Sequence, residues 1–128
     1  MREIKFRVWD IELKKIRIVT VINVSFSGKE IVNVALTDVV QGEYIQDGKK
    51  IILMQFTGLH DKKDKNIYEG DIVRYEINQH LICKVIWDEN NCRYLLVDKD
   101  NYQYRCDDHT VLICEVIGNI YENGDLLK

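Results

Sequence analysis

The side chains of this chain best suited to metal chemistry are four cysteines, at positions 83, 92, 106 and 114, and three histidines. Cys106, His109 and Cys114 could supply three ligands to a zinc ion, with Cys92 or His80 as the fourth. Structural zinc sites usually contain a closely spaced cysteine pair, and the sequence has no Cys-x-x-Cys. The spacing therefore argues against a metal site.

The positions of two cysteines favour a structural role instead. Cys83 falls on the same strand face as Leu81, Val85 and Trp87, as expected for a strand with one apolar face. Cys114 likewise shares a face with Leu112 and Val116. A buried cysteine behaves as a small hydrophobic residue. We predict that these cysteines belong to the core and that the protein needs no cofactor.

Two groups of carboxylates could bind a hard cation. Asp98-Lys99-Asp100-Asn101 resembles the start of a calcium loop, but Gln103 replaces the required glycine and His109 the bidentate glutamate. We predict a hairpin turn there. The second group, in the segment 57–73, is interleaved with Lys62, Lys63 and Lys65 and is predicted to form an ordered, solvated surface loop with weak ion pairs. Its carboxylates are Asp61, Asp64, Glu69 and Asp71.

Aromatic residues and arginines make up the third set. Tyr102 and Tyr104 share a strand face, with Arg93 and Arg105 nearby in the predicted hairpin, and could stack on single-stranded nucleic acid. The alternative is that the aromatic rings fill a β core. The net charge of −3 favours the core, because nucleic-acid-binding proteins usually carry a basic face. The candidates for this stacking platform are Trp9, Tyr68, Tyr75, Trp87, Tyr94, Tyr102, Tyr104 and Tyr121.

Enzymatic chemistry has no support in the sequence. No nucleophile lies beside a base in linear order, and the glycines are isolated, so no phosphate-binding loop is evident. The predicted class is a protein that is not an enzyme, with no catalytic residues.

Period-two alternation of apolar residues predicts a mainly β fold of antiparallel strands. Residues 1–54 are predicted to contribute N-terminal hairpin strands, with turns at 10–15, 25–30 and 46–49, the last because Asp-Gly favours hairpins. Ile4 is placed with Phe6 and Val8 on the inner face of the first strand. Residues 31–45 fit a strand or an irregular connection equally well.

Residues 55–128 are predicted to form a small, barrel-like (SH3-like) sheet within the same single domain, 1–128. Its strands are predicted near 71–77, 81–87, 92–97, 102–106 and 111–121, with turns between them at 78–80, 88–91 and 98–101. Residues 107–110 are expected to cap one helical turn, and Gly118 to mark a bulge. The N-terminus has no continuous apolar segment, so a cytoplasmic protein with reduced cysteines and no membrane contact is expected.

Five segments together extend over nearly the whole chain: Arg2–Asp10, Met54–Leu59, Lys65–Val73, Val85–Asp88 and Cys114–Asn123. They resemble the YopX family of phage and prophage proteins. Family members with similar ends often have Pro after the final Asn of the last segment, where this chain has Gly124. The resemblance implies a phage or prophage setting and a mainly β fold, and it assigns no activity to any residue.

We therefore predict a phage or prophage accessory protein that binds a host or phage protein and can form homo-oligomers through free sheet edges. The alternative is a nucleic-acid-binding accessory protein on a small β-barrel. A contiguous positive patch would favour that alternative, and its absence would favour a protein partner. The patch would contain Arg74, Lys84, Arg93 and Arg105.

Overall fold

A computed structural model describes residues 3–36 and 44–128. The described residues form eleven strands and three short 3-10 turns, and all strand pairs are antiparallel, which confirms the predicted mainly β class. The strands are β1 (Phe6–Asp10), β2 (Lys15–Val24), β3 (Ile31–Leu36), β4 (Tyr44–Asp47), β5 (Ile51–His60), β6 (Asn66–Tyr68), β7 (Asp71–Ile77), β8 (Gln79–Asp88), β9 (Arg93–Asp98), β10 (Gln103–Arg105) and β11 (Cys114–Asn119).

The chain divides into two compact units, which meet in sequence between Gln55 and Phe56. In the N-terminal unit the strand order is β4-β3-β2-β1-β5. Alternation of apolar residues gives this sheet one face with a buried core, because successive side chains of a strand point to opposite sides. Its core contains Val8, Val19, Val34, Leu36 and Ile51.

Two of the three predicted N-terminal turns connect neighbouring strands. Residues 10–15 join β1 to β2, and residues 25–30 join β2 to β3, as predicted. In the first turn, the buried carboxylate of Asp10 accepts hydrogen bonds from the backbone N–H groups of Glu12 and Leu13 and pairs with buried Arg17. The sequence thus specifies this turn through an aspartate that closes it.

The predicted Asp47-Gly48 hairpin is wrong. β4 pairs with β3, whereas β5 pairs with β1, so the residues between them form a 3-10 turn (Gly48–Lys50) and not a hairpin loop. Gly48 serves a close approach of backbone: a Cβ atom there would stand 1.9 Å from the carbonyl oxygen of Ile31. The glycine of this Asp-Gly pair is therefore explained by the close packing of its backbone against Ile31 and not by a hairpin turn.

Two other N-terminal predictions are resolved by the structure. Ile4 lies before β1 and is exposed, so its predicted inward orientation is wrong. Of the ambiguous segment 31–45, Ile31–Leu36 is strand β3, and residues 37–43 lie outside the described residues.

The C-terminal unit has the strand order β10-β9-β8-β7-β11, in which β7 to β10 form a meander and β11 returns to pair with β7. This is the antiparallel sheet predicted for this half, and no closed barrel is found among the described residues. Also in this unit, the second half of β5 pairs with β6, Phe56 opposite Tyr68. The core of the unit lies on one face of the sheet and includes Val73, Tyr75, Val85, Leu96 and Val116.

Most predicted C-terminal turns are confirmed, with one shortened strand. The β7–β8 connection is tighter than predicted, since only Asn78 lies between the strands, with a φ of 58°. The predicted strand 111–121 is wrong at its start, because Thr110–Ile113 forms a 3-10 turn and β11 begins at Cys114. The carboxylate of Asp107 caps that turn by accepting hydrogen bonds from the N–H groups of His109 and Thr110, as predicted.

Candidate binding surfaces

The three cysteines considered as metal ligands or core residues lie in the C-terminal core. Cys83, Cys106 and Cys114 are buried, and this burial raises the pKa of each thiol to about 12. Cys92 and His109 are exposed, so the sequence spacing Cys106-x-x-His109 does not bring the two side chains to a common site. Since thiolates and not thiols bind metals, these cysteines are suited to packing. Within residues 3–36 and 44–128 no three His, Cys, Asp or Glu side chains are grouped to hold a metal ion.

The calcium-like segment 98–101 is a hairpin turn, as predicted. Both carboxylate oxygens of Asp98 are engaged: one accepts hydrogen bonds from the N–H groups of Asp100 and Tyr102, and the other from the Tyr104 hydroxyl. Asn101 completes the turn with a φ of 66°. The carboxylate that would be the first ligand thus organises its own turn.

The loop after β5 differs from the predicted solvated loop. Asp61 is buried, and its carboxylate accepts hydrogen bonds from the N–H groups of Lys63, Lys65 and Val116. Burial alone would raise the pKa of Asp61, but these backbone donors hold it below its usual value. Asp71 is buried too and accepts a hydrogen bond from the Tyr68 N–H. Both carboxylates are therefore structural.

The Gly70 turn is connected by backbone hydrogen bonds to two distant parts of the chain. The Gly70 N–H donates to the Val85 carbonyl, and the Gly70 carbonyl accepts from the Ile120 N–H. Gly70 adopts a φ of 83°, a conformation that favours glycine. Three of the five segments that carry the YopX resemblance thus meet at this glycine.

The proposed positive patch does not form as a contiguous surface. Arg74 pairs with Glu76 and Glu115, and Arg93 pairs with Asp88. Lys62 and Lys63, on the loop near Arg74, are likewise paired with Glu76 and Glu115. Carboxylates therefore lie beside two of the four residues of the predicted patch, Arg74 and Arg93.

Arginines 93 and 105 nevertheless border one cleft. It has a volume of about 210 Å³ and is lined by Arg93, Tyr94, Arg105, Cys106 and Asp107. The register places Arg105 opposite Leu95, so that Arg93, two positions from Leu95, projects from the same face. The structure thus brings together the two arginines that the sequence singled out.

The predicted aromatic platform is divided between core and surface. Tyr68 and Tyr75 are buried, and the Tyr75 and Tyr104 rings contact edge to face at 5.6 Å between centroids. Tyr102 is exposed although it lies next to β10. Trp87 remains 42% exposed at the end of β8, with its ring against Tyr94 at 4.9 Å between centroids. Tyr94 also lines the arginine cleft, whereas strand alternation directs the Trp87 side chain to the sheet face opposite Arg93.

A second surface, on the N-terminal sheet, was not predicted. Trp9 stands opposite Ile16 on β2 and opposite Ile52 on β5, and Ile18 follows on the same face as Ile16. A bulge after Val19 turns Val21 to this face as well. The exposed fractions are 49% for Ile18, 43% for Val21 and 38% for Ile52. We call this surface, formed by Trp9, Ile16, Ile18, Val21 and Ile52, the apolar strip.

A sequence signal for the apolar strip exists. Strand β2 has branched apolar residues on both faces, because Ile16 and Ile18 alternate with the buried Arg17 and Val19. A strand with one solvated face normally alternates apolar with polar residues. Trp9 shares its face of β1 with Arg7, so alternation along β1 alone does not indicate an apolar surface there.

No helix in the described part of the chain is both long and apolar enough to cross a membrane. All four cysteines are free thiols.

Comparison with known proteins identifies one family and one fold. The chain resembles the crystal structure of protein EF1440 from Enterococcus faecalis, with a TM-score of 0.72 and 22% sequence identity over 100% of both chains. At this identity the likeness shows a shared fold. No curated protein matches the sequence. The family model described as YopX protein matches residues 5–128, and the chain therefore belongs to the YopX family.

Proposed function

We propose that this protein is a non-enzymatic binding module for a host or phage protein, made in a phage or prophage setting. The observation that carries the proposal is the apolar strip, which exposes a group of branched side chains on a sheet face. Contiguous exposed apolar surface in a protein with 30% charged residues is typical of an interaction site.

The charge distribution supports a protein partner over nucleic acid. Binding to a phosphate backbone gains most of its affinity from cations that replace counterions. Here Arg74 and Arg93 are paired with carboxylates of the same chain, and the net charge is −3. Nucleic-acid binding remains the second candidate, and one observation favours it: Arg105 has no acidic partner within ion-pair distance among the described residues.

The experiment is capture of interacting proteins by the tagged protein from a lysate of its natural host, with and without nuclease. A double variant, Ile18→Ser with Ile52→Ser, interrupts the apolar strip. Leu112→Ser removes an apolar side chain that is 67% exposed elsewhere and serves as the matched control.

We expect one protein, retained at stoichiometric level after nuclease, to be captured by the wild type and by Leu112→Ser but lost with the double variant. Retention by the double variant would contradict a role for the apolar strip. A capture that disappears with nuclease, accompanied by high absorbance at 260 nm, would favour nucleic-acid binding instead. Circular dichroism of all variants verifies that they are folded.

A further inference from the structure

The cleft at the ends of β9 and β10 contains a cation that no described residue neutralises. Arg105 is exposed, borders the cleft, and forms no ion pair with any described residue. An arginine presents a planar fork of N–H donors that matches a carboxylate in a bidentate arrangement. Its donors are therefore available to a ligand.

The acidic groups near the cleft are already engaged by local hydrogen bonds. The Asp107 carboxylate accepts from the N–H groups of His109 and Thr110, at 3.1 and 3.0 Å. The Asp88 carboxylate accepts from the Asn90 N–H and the Asn91 side-chain amide, and from the Arg93 Nε at 3.4 Å. The contact with Arg93 is the longest of these, and it is a surface ion pair of small net energy.

One aromatic residue borders the two arginines. Tyr94 lines the cleft, and its ring contacts that of Trp87 edge to face. Tryptophan, tyrosine and arginine are the residues that most often dominate the energy of protein interfaces. A ligand for this place should therefore combine a negative group with an apolar one.

We propose that the cleft binds a carboxylate side chain from an acidic segment of a partner protein, with Arg105 as the principal contact and Arg93 as the second. An adjacent apolar residue of that segment packs on Tyr94, whose ring contacts Trp87. Arg93 and Arg105, with Asp88 and Asp107 near them, match the charge of one carboxylate. A phosphate backbone requires a continuous run of cations instead. The proposal rests on the proposed function in one respect, that the partner is a protein.

The probe is the peptide acetyl-Gly-Glu-Glu-Leu-Glu-Gly-amide, titrated into the full ¹⁵N-labelled chain at low ionic strength, where surface charges are least screened. The matched control peptide has glutamine in place of every glutamate. A thymidine octanucleotide tests the competing class of ligand. The readouts are the NMR signals of the Arg105 Nε–H and the Trp87 indole N–H.

We expect saturable shifts of both signals with the glutamate peptide and at least tenfold weaker binding of the glutamine peptide. The variant Arg105→Gln should bind the glutamate peptide at least tenfold more weakly, and Lys84→Gln, which leaves the cleft unchanged, should bind like the wild type. Equal binding of the two peptides, or unchanged binding by Arg105→Gln, would overturn the proposal. So would shifts with the oligonucleotide alone.

The failure of this proposal can be distinguished from that of the proposed function. The double variant Ile18→Ser with Ile52→Ser keeps every residue of the cleft, so it should bind the glutamate peptide with wild-type affinity. Arg105→Gln keeps the apolar strip. A loss of peptide binding in the double variant would contradict an independent cleft, and thermal unfolding of each variant verifies its fold.

Discussion

The carboxylate of Asp61 accepts a hydrogen bond from the backbone N–H of Val116, 55 positions later in the chain, at 2.8 Å between Oδ2 and N. The other oxygen accepts from Lys63 and Lys65. One buried carboxylate thus holds the loop after β5 against the last strand of the C-terminal sheet, where a solvated loop was predicted.

Replacing Asp61 by asparagine should destabilise the protein by about 1–3 kcal/mol, because the amide places an NH₂ group against a buried N–H donor. Chemical denaturation at pH 7 measures the change in free energy of unfolding. Asp64→Asn is the control, since Asp64 is an exposed residue of the same loop and should change stability little. Equal effects of the two substitutions would contradict a structural role for Asp61.

The stability of the protein should fall in acid through Asp61. Its pKa is lower in the folded chain than in the unfolded chain, so the unfolded state binds the proton more readily and the carboxylate stabilises the fold above its unfolded pKa. That contribution is lost as the pH falls from the unfolded pKa through the lower folded pKa. Unfolding free energies measured from pH 7 to pH 2 should therefore decrease less steeply for Asp61→Asn than for wild type.

Gly118→Ala should destabilise the protein by about 1–3 kcal/mol, the usual range for overpacking. A Cβ atom at this position would stand 2.4 Å from the Asn123 Oδ1, which accepts a hydrogen bond from the Asn119 N–H. Gly124→Ala is the matched control, because its Cβ would meet nothing within 4 Å. Thermal or chemical unfolding should separate the two variants, and a stability of Gly118→Ala equal to that of the control would count against the packing argument.

Replacing Arg17 by methionine should cost about 3–5 kcal/mol, because it leaves the buried Asp10 carboxylate without its charged partner. Adding Asp10→Asn to this variant should restore part of the loss, since the uncompensated charge is then removed. The exposed Lys50–Glu12 pair is the reference, and Glu12→Gln should cost less than about 1 kcal/mol. Chemical denaturation measures the free energy of unfolding of each single variant and of the double variant. A loss in the double variant equal to the sum of the two single losses would contradict coupling between positions 10 and 17.

In the native protein, one cysteine should react with a thiol reagent. Cys92 is exposed on the β8–β9 turn, whereas burial raises the pKa of Cys83, Cys106 and Cys114 to about 12 and suppresses their thiolates. Mass spectrometry after brief labelling at pH 8 should therefore find a single modification, absent from Cys92→Ser. Four rapid modifications before denaturant is added would show that the core opens readily.

The amino-acid sequence by itself determined the class of fold and much of its connectivity. Strand alternation is a local property, so the strands of the second half and the turns at 10–15, 25–30 and 98–101 could be predicted from neighbouring residues. The glycine and aspartate turns also carried the family resemblance, because they specify backbone geometry wherever they occur.

Only the tertiary structure decided which polar residues are buried and which apolar residues are exposed. In the sequence Asp61 resembles any loop carboxylate, and only the fold brings the N–H donor of β11 to it. Asp47-Gly48 is typical of a hairpin in the sequence, but in the fold β4 and β5 pair with different strands. Likewise, Trp9 lies beside Ile16 and Ile52 only because β1 pairs with β2 and β5. Arg93 borders the same cleft as Arg105 only because of the pairing register of their strands. These relationships depend on contacts between distant positions, which local periodicity does not contain.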